Sequence, residues 1–209
     1  YGTVDINLDN ELDLVVFDRS SDKLLTFIST ESRYVYSPEY EYLFPTGLQN
    51  WIVFADYDCD GKKDIFTYTS LGIRVFKNTS DSQLSWELVE DPIFTQGTSS
   101  QVNLAVNTTD IPAIADLDGD DDLDILAFNF ASGAVIQFHK NMSMENNGNC
   151  NSLEYVRVSQ KYGDVEECSC EEFAFNGDTC NDGGRVLHAG GTSILAFDQD
   201  GDGDLELVI

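Results

Sequence analysis

The sequence predicts an all-β fold, a β-propeller, and three observations carry that expectation. Four nine-residue windows, Asp5–Asp13, Asp56–Asp64, Asp116–Asp124 and Asp198–Glu206, share one grammar and hold half of the chain's 38 acidic residues. Short apolar runs rich in β-branched and aromatic residues flank the windows, as in half-buried strands. The windows begin at residues 5, 56, 116 and 198. A period of roughly 50–60 residues with several short strands per unit is the signature of propeller blades.

The windows read as cation loops by their chemistry. Oxygen-bearing side chains at positions 1, 3, 5 and 9 can converge on one hard ion, and position 7 would add a backbone carbonyl. A solvated surface scatters its carboxylates; it does not repeat them in register. An EF-hand loop begins in the same way, but it needs a bidentate Glu at position 12 and flanking helices. Position 12 here is Val16, Thr67, Ala127 and Ile209. The EF-hand is excluded.

Taken in order, residues after the first loop, Asp13-Leu-Val-Val-Phe-Asp, read as a strand. In the second unit strands are expected at 51–55, 64–69, 73–77 (after a turn at Gly72) and 84–89. In the third they fall at 112–116, 124–129, 134–140 and 153–159, and Ser193-Ile-Leu-Ala-Phe leads into the last loop. The first strand of each unit, apolar throughout, is expected to be innermost, beside the channel. Later strands alternate and carry charge, as an outer edge should. The units run over about 1–45, 46–105, 106–190 and a truncated 191–209. That is about three and a half blades, where propellers close with roughly four to eight, so a fragment of a longer chain is expected.

The D-x-[DN]-x-D-G-x-x-D-[LI] loop between apolar strands resembles the FG-GAP/VCBS repeat, whose relatives include the propeller of integrin α subunits. Stretches such as Asp60-Gly-Lys-Lys-Asp-Ile-Phe-Thr-Tyr and Gly119-Asp-Asp-Asp-Leu-Asp-Ile-Leu are similar to secreted or surface VCBS-repeat proteins of Bacteroidota, many exported by type IX secretion. The resemblance covers essentially the whole chain and implies a propeller of about seven blades with Ca²⁺ in each loop. It implies a secreted or cell-surface module acting in cell adhesion or in protein or carbohydrate interaction. Carried over by position, the first site is Asp5, Asn7, Asp9, Glu11 (carbonyl) and Asp13; the second is Asp56, Asp58, Asp60, Lys62 (carbonyl) and Asp64. The third is Asp116, Asp118, Asp120, Asp122 (carbonyl) and Asp124; the fourth is Asp198, Asp200, Asp202, Asp204 (carbonyl) and Glu206. Position 6 is Gly61 and Gly203 in two loops but Asn10 and Asp121 in the others, residues that tolerate left-handed backbone. Asn7 is expected to weaken the first site, and the longer Glu206 to alter denticity at the fourth.

A formal charge of −27 argues against nucleic acid and anionic membranes as partners. Cys150, Cys168, Cys170 and Cys180 cluster in a polar insertion at about 141–191, where disulfides are the natural staple and a zinc knuckle is the rival reading. A Cys168–Cys170 bond would close a cramped ring, so Cys150 and Cys180 are expected to bond to those two, in an order the sequence leaves open. Cys59 is left over. The sequons at Asn78, Asn107 and Asn141 are near the number expected by chance.

No catalytic motif assembles, and His139 and His188 are isolated in the sequence. The expectation is therefore a non-catalytic binding module with structural calcium. Two alternatives stand beside it. One is the propeller of a polysaccharide-degrading enzyme, since some lyases are similar in using VCBS-like propellers. The other is a passive structural or cargo region of a large type IX-secreted protein.

Overall fold

The computed structural model of the chain describes residues 1–169, 172–178, 180, 193–202 and 205–209. It is all-β, with strands in two compact units, Tyr1–Ile93 and Phe94–Ile209. Cys170, His188, Gly190, Gly191, Gly203 and Asp204 lie outside the described residues.

The first unit holds two four-stranded antiparallel meanders. One is β1(Gly2–Val4), β2(Asp13–Asp18), β3(Lys23–Thr30) and β4(Arg33–Tyr36); the other is β5(Ile52–Ala55), β6(Asp64–Thr69), β7(Gly72–Asn78) and β8(Trp86–Glu90). A 3-10 helix, Pro38–Leu43, lies between them in sequence, with its proline in the first turn where a missing N–H costs nothing. Val4, Ile6, Val15, Phe44, Leu48, Ile65, Phe76 and Leu84 form one core, with the Phe44 ring 5.6 Å from Trp86 and 6.4 Å from Phe54. Each fully buried side chain of this size is worth about 1.5–3 kcal/mol. The core is what holds the two meanders against each other.

The second unit is built on a six-stranded sheet in the order β10-β9-β14-β13-β12-β11. Its strands are β9(Phe94–Gln96), β10(Gln101–Asn103), β11(Ala113–Ala115), β12(Asp124–Phe128), β13(Ile136–Asn141) and β14(Tyr155–Ser159). β11 to β14 repeat the antiparallel meander, and β9 then pairs in parallel with β14. The short helix α1(Ser143–Asn147) sits between β13 and β14 and ends on Gly148 in the left-handed conformation (φ 67°). A hairpin of β15(Glu166–Ser169) and β16(Glu172–Ala174) and another of β17(Leu195–Phe197) and β18(Glu206–Val208) follow. Among the described residues Ala113, Leu126, Phe128, Ile136 and Ile194 form one core cluster of this unit.

Within a meander burial rises from the first strand to the second: every residue of β5 is half-buried, whereas β6 and β12 are buried almost throughout. β5 has a neighbour on one side only, while β6 and β12 are flanked on both, and burial follows flanking rather than apolarity. Cys59 is not left over: it is disulfide-bonded, as is Cys150, and Cys168 is bonded to Cys180. Such bonds persist in an oxidising environment. Among the described residues no helix is long and apolar enough to cross a membrane.

Candidate metal centres

Each acidic window is the connection of an antiparallel hairpin, and the register is the same four times. The residue before position 1 pairs with position 9: Val4 with Asp13, Ala55 with Asp64, Ala115 with Asp124 and Phe197 with Glu206. Position 9 therefore opens a strand, facing into the fold, and Asp13, Asp64 and Asp124 are fully buried. Their carboxylates are held from two sides. One oxygen accepts the position-2 N–H, from Ile6 (2.8 Å), Tyr57 (2.9 Å) and Leu117 (3.2 Å). The other accepts an N–H of the third strand or its end, from Ser29 (2.7 Å), Asn78 (2.7 Å) and Asn141 (2.8 Å). Glu206, one methylene longer, reaches the same position-2 N–H, that of Gln199, at 2.7 Å.

Position 1 folds the loop around itself. Asp5 accepts from the N–H groups of Asp9 and Asn10, Asp56 from Asp60 and Gly61, and Asp116 from Gly119, Asp120 and Asp121. Position 5 then accepts the position-7 N–H, from Glu11, Lys62 and Asp122, at 2.9 to 3.1 Å. These bonds need left-handed backbone twice. At position 6 it is adopted by Asn10 (φ 68°), Gly61 (φ 85°) and Asp121 (φ 76°), as their residue types allow. At position 4 it is adopted by Leu8 (φ 62°), Cys59 (φ 57°), Gly119 and Gly201 (both φ 79°). Only the two glycines meet that second demand without strain.

The side chains converge. Asp56, Asp58 and Asp64 offer oxygens all within 4.8 Å of one another, as do Asp116, Asp118 and Asp124, and Asp198, Asp200 and Glu206. These are positions 1, 3 and 9 each time. The corresponding triplet of the first loop is Asp5, Asn7 and Asp13, with an amide in the middle; Asn7 donates to Asp9 Oδ2 at 2.9 Å. Asp118, Asp120 and Glu145 form a further convergent group. Asp202, at position 5 of the fourth loop, donates its N–H to Asp200 at 3.3 Å.

The donor set fits a hard divalent cation. Asp58 Oδ1 is buried and accepts no hydrogen bond, so a lone-pair site at position 3 of the second loop is unfilled by protein. Burial pushes Asp64 and Asp124 up to about 7, outweighing the backbone N–H bonds that favour the charged form. Asp13 is raised for the same reason. A cation among them would remove that penalty.

Some side chains take roles at these loops that the sequence does not announce. Lys77 pairs with Asp58 and lies 3.8 Å from Asp60, and Lys140 pairs with Asp118 and Glu145 and lies 3.3 Å from Asp120. Asp122 has a buried side chain, and its Oδ2 accepts the Met144 N–H at 2.9 Å. Asn78 and Asn141 are 3% and 0% exposed, and their amides bind the carbonyls of Lys63 and Ser152. Both are structural, and neither is open to a glycan in the folded chain. The signal for this group is a second repeat, Lys77-Asn78-Thr79-Ser80 and Lys140-Asn141-Met142-Ser143, in which each Asn side chain also accepts the Ser N–H.

His139 is buried in β13 with Nδ1 3.0 Å from Thr95 Oγ1, and burial lowers its pKa to about 3. It is a neutral core residue. The chain matches no protein-family model and no curated protein.

Proposed function

We propose that the chain is a non-catalytic, calcium-binding β-propeller module of FG-GAP/VCBS type from a secreted or cell-surface protein, acting in adhesion or in protein or carbohydrate interaction. The observation that carries the reading is the fourfold hairpin loop, with its fixed register and with positions 1, 3 and 9 convergent in three copies. Asp5, Asp56, Asp116 and Asp198 would hold the ion from position 1, with the carboxylates or amide of positions 3 and 5 beside them and position 9 beneath. Calcium suits an all-oxygen set with carboxylates on a flexible loop; zinc would prefer nitrogen or sulfur. The role of the ion is structural, since a cation ringed by protein oxygens has little room for a substrate.

Extracellular calcium loops bind at about 10⁻⁴–10⁻³ M. At roughly 1 mM calcium and a Kd of about 10⁻⁴ M, linkage stabilises the fold by about 1.4 kcal/mol per site, or about 6 kcal/mol for four. Thermal melts in calcium and in chelator are expected to differ by many degrees, with about four ions bound in calorimetry. Coincident melts would end the calcium reading.

A further inference from the structure

Lys77 and Lys140 occupy the same place in two sheets. Each is the next-to-last residue of its strand, directly ahead of the asparagine whose N–H holds position 9. Each turns its ammonium into the loop rather than out to water: the side chains are only 30% and 19% exposed. The partners are the carboxylates at positions 3 and 5, Asp58 and Asp60 in one loop and Asp118 and Asp120 in the other, with Glu145 of α1 added in the second case. In the first loop the residue ahead of the equivalent N–H donor, Ser29, is Ile28, which packs against the core. That loop has Asn7 at position 3 in place of a carboxylate. Among the first three loops the lysine is present in the two whose position 3 is charged, and an apolar residue stands in its place in the one whose position 3 is neutral.

We propose that Lys77 and Lys140 set the affinity and selectivity of the second and third loops, as tethered cations that an incoming metal ion must displace from positions 3 and 5. The inference rests on the calcium reading above. The ammonium and the ion compete for the same oxygens: Lys77 reaches Asp58 and Asp60, and Asp58 is one of the convergent triplet. A monovalent ion carries no more charge than the lysine it would expel, and the lysine is held at high local concentration by its own strand. A divalent ion doubles the charge at the carboxylates and wins. The second and third loops therefore exclude sodium and potassium and bind calcium more weakly than they would with an uncharged residue in the lysine's place. On loading, each lysine is released to solvent, so the protein gains an exposed cation beside every such ion.

Two measurements test this. Calcium titrations of the chain and of the variants Lys77→Met, Lys140→Met and the double variant, in sodium buffer, are expected to show one site tightened by about tenfold or more per substitution. Lys77→Arg and Lys140→Arg keep the charge and should stay near the unsubstituted affinity. In the unsubstituted chain, the side-chain ammonium NMR signals of Lys77 and Lys140 should shift as calcium is added. If the chain takes up calcium but the Met variants bind no tighter, or the lysine signals stay still, the proposal fails and the calcium reading survives. If neither the chain nor any variant takes up calcium, both fall. Uptake at the second and third loops by the Met variants alone would support the proposal in its strongest form. A Met variant that fails to fold leaves the lysine signals of the unsubstituted chain to decide.

Discussion

At position 3 the first loop carries Asn7, whose amide donates to Asp9; the second and third carry Asp58 and Asp118, and a lysine from the third strand supplies the positive partner instead. The backbone of the three loops is nevertheless the same, with position 1 gathering the N–H groups of positions 5 and 6 and position 9 clamped from both sides. Folding of the loop and neutralisation of its charge are thus separate tasks. Hydrogen bonds to backbone N–H groups shape the cradle in every copy. The side chains at positions 3 and 5 then determine how strongly the shaped cradle calls for a cation. A protein built this way can vary affinity from loop to loop without disturbing the sheet beneath.

The shared part of the design should give the largest effect. Replacing Asp13, Asp64 or Asp124 by alanine removes an acceptor from two N–H groups at once, one in the loop and one across the sheet. A buried donor left without a partner costs about 1–3 kcal/mol, so each substitution is expected to destabilise the chain by about 3 kcal/mol even in chelator. Denaturant midpoints check this. Losses that differ widely among the three positions would mean the loops do not share a common frame.

Acidity separates the same residues from the rest. Asp64 and Asp124 have folded-state values raised to about 7 by burial, above the unfolded value of about 3.9. The folded chain therefore holds these protons more tightly than the unfolded chain does. Their contribution to stability is complete below the unfolded value and is lost as pH rises through about 7. In chelator the chain should be more stable near about pH 5 than near about pH 8.5. With saturating calcium this trend should shrink or reverse, because the ion takes the place of the protons, and its binding should release protons near neutral pH. Denaturation at the two pH values, with and without calcium, reads the sign directly.

Much of the architecture was legible because it repeats. The strands expected at 64–69 and 73–77 are found as β6 and β7, at 64–69 and 72–78, and those expected at 124–129 and 134–140 as β12 and β13, at 124–128 and 136–141. Loop limits could be read because a run of short acidic residues cannot sit inside a strand. What could not be read depended on contacts distant in sequence. Lys77 and Lys140 look like ordinary strand cations until the sheet folds them onto loops 17 to 22 residues earlier. The Lys-Asn-x-Ser repeat stands in the sequence, but it coincides with an N-x-Ser sequon and so carries no distinct signal of a loop contact. β9 carries no signal of its own, since its parallel pairing with β14 requires a partner about sixty residues on. Glu145 joins a carboxylate group only because α1 brings it there.

The smallest effect expected is also the one that most directly tests the comparison. Asn7→Asp turns the first loop into the charged type without giving it a lysine, because Ile28 stands in the equivalent place. The substitution removes the donor to Asp9 and sets two carboxylates against each other at the distance now spanned by a 2.9 Å hydrogen bond. In chelator the lost bond and the repulsion together should cost about 1 kcal/mol. In calcium the added carboxylate has no tethered cation to contend with, so the first loop should become the tightest of the three. A calcium titration and a pair of melts decide it. Unchanged stability in chelator would show that Asn7 does not neutralise its loop, and a first site weaker than the second and third would show that the lysines do not hold those sites back.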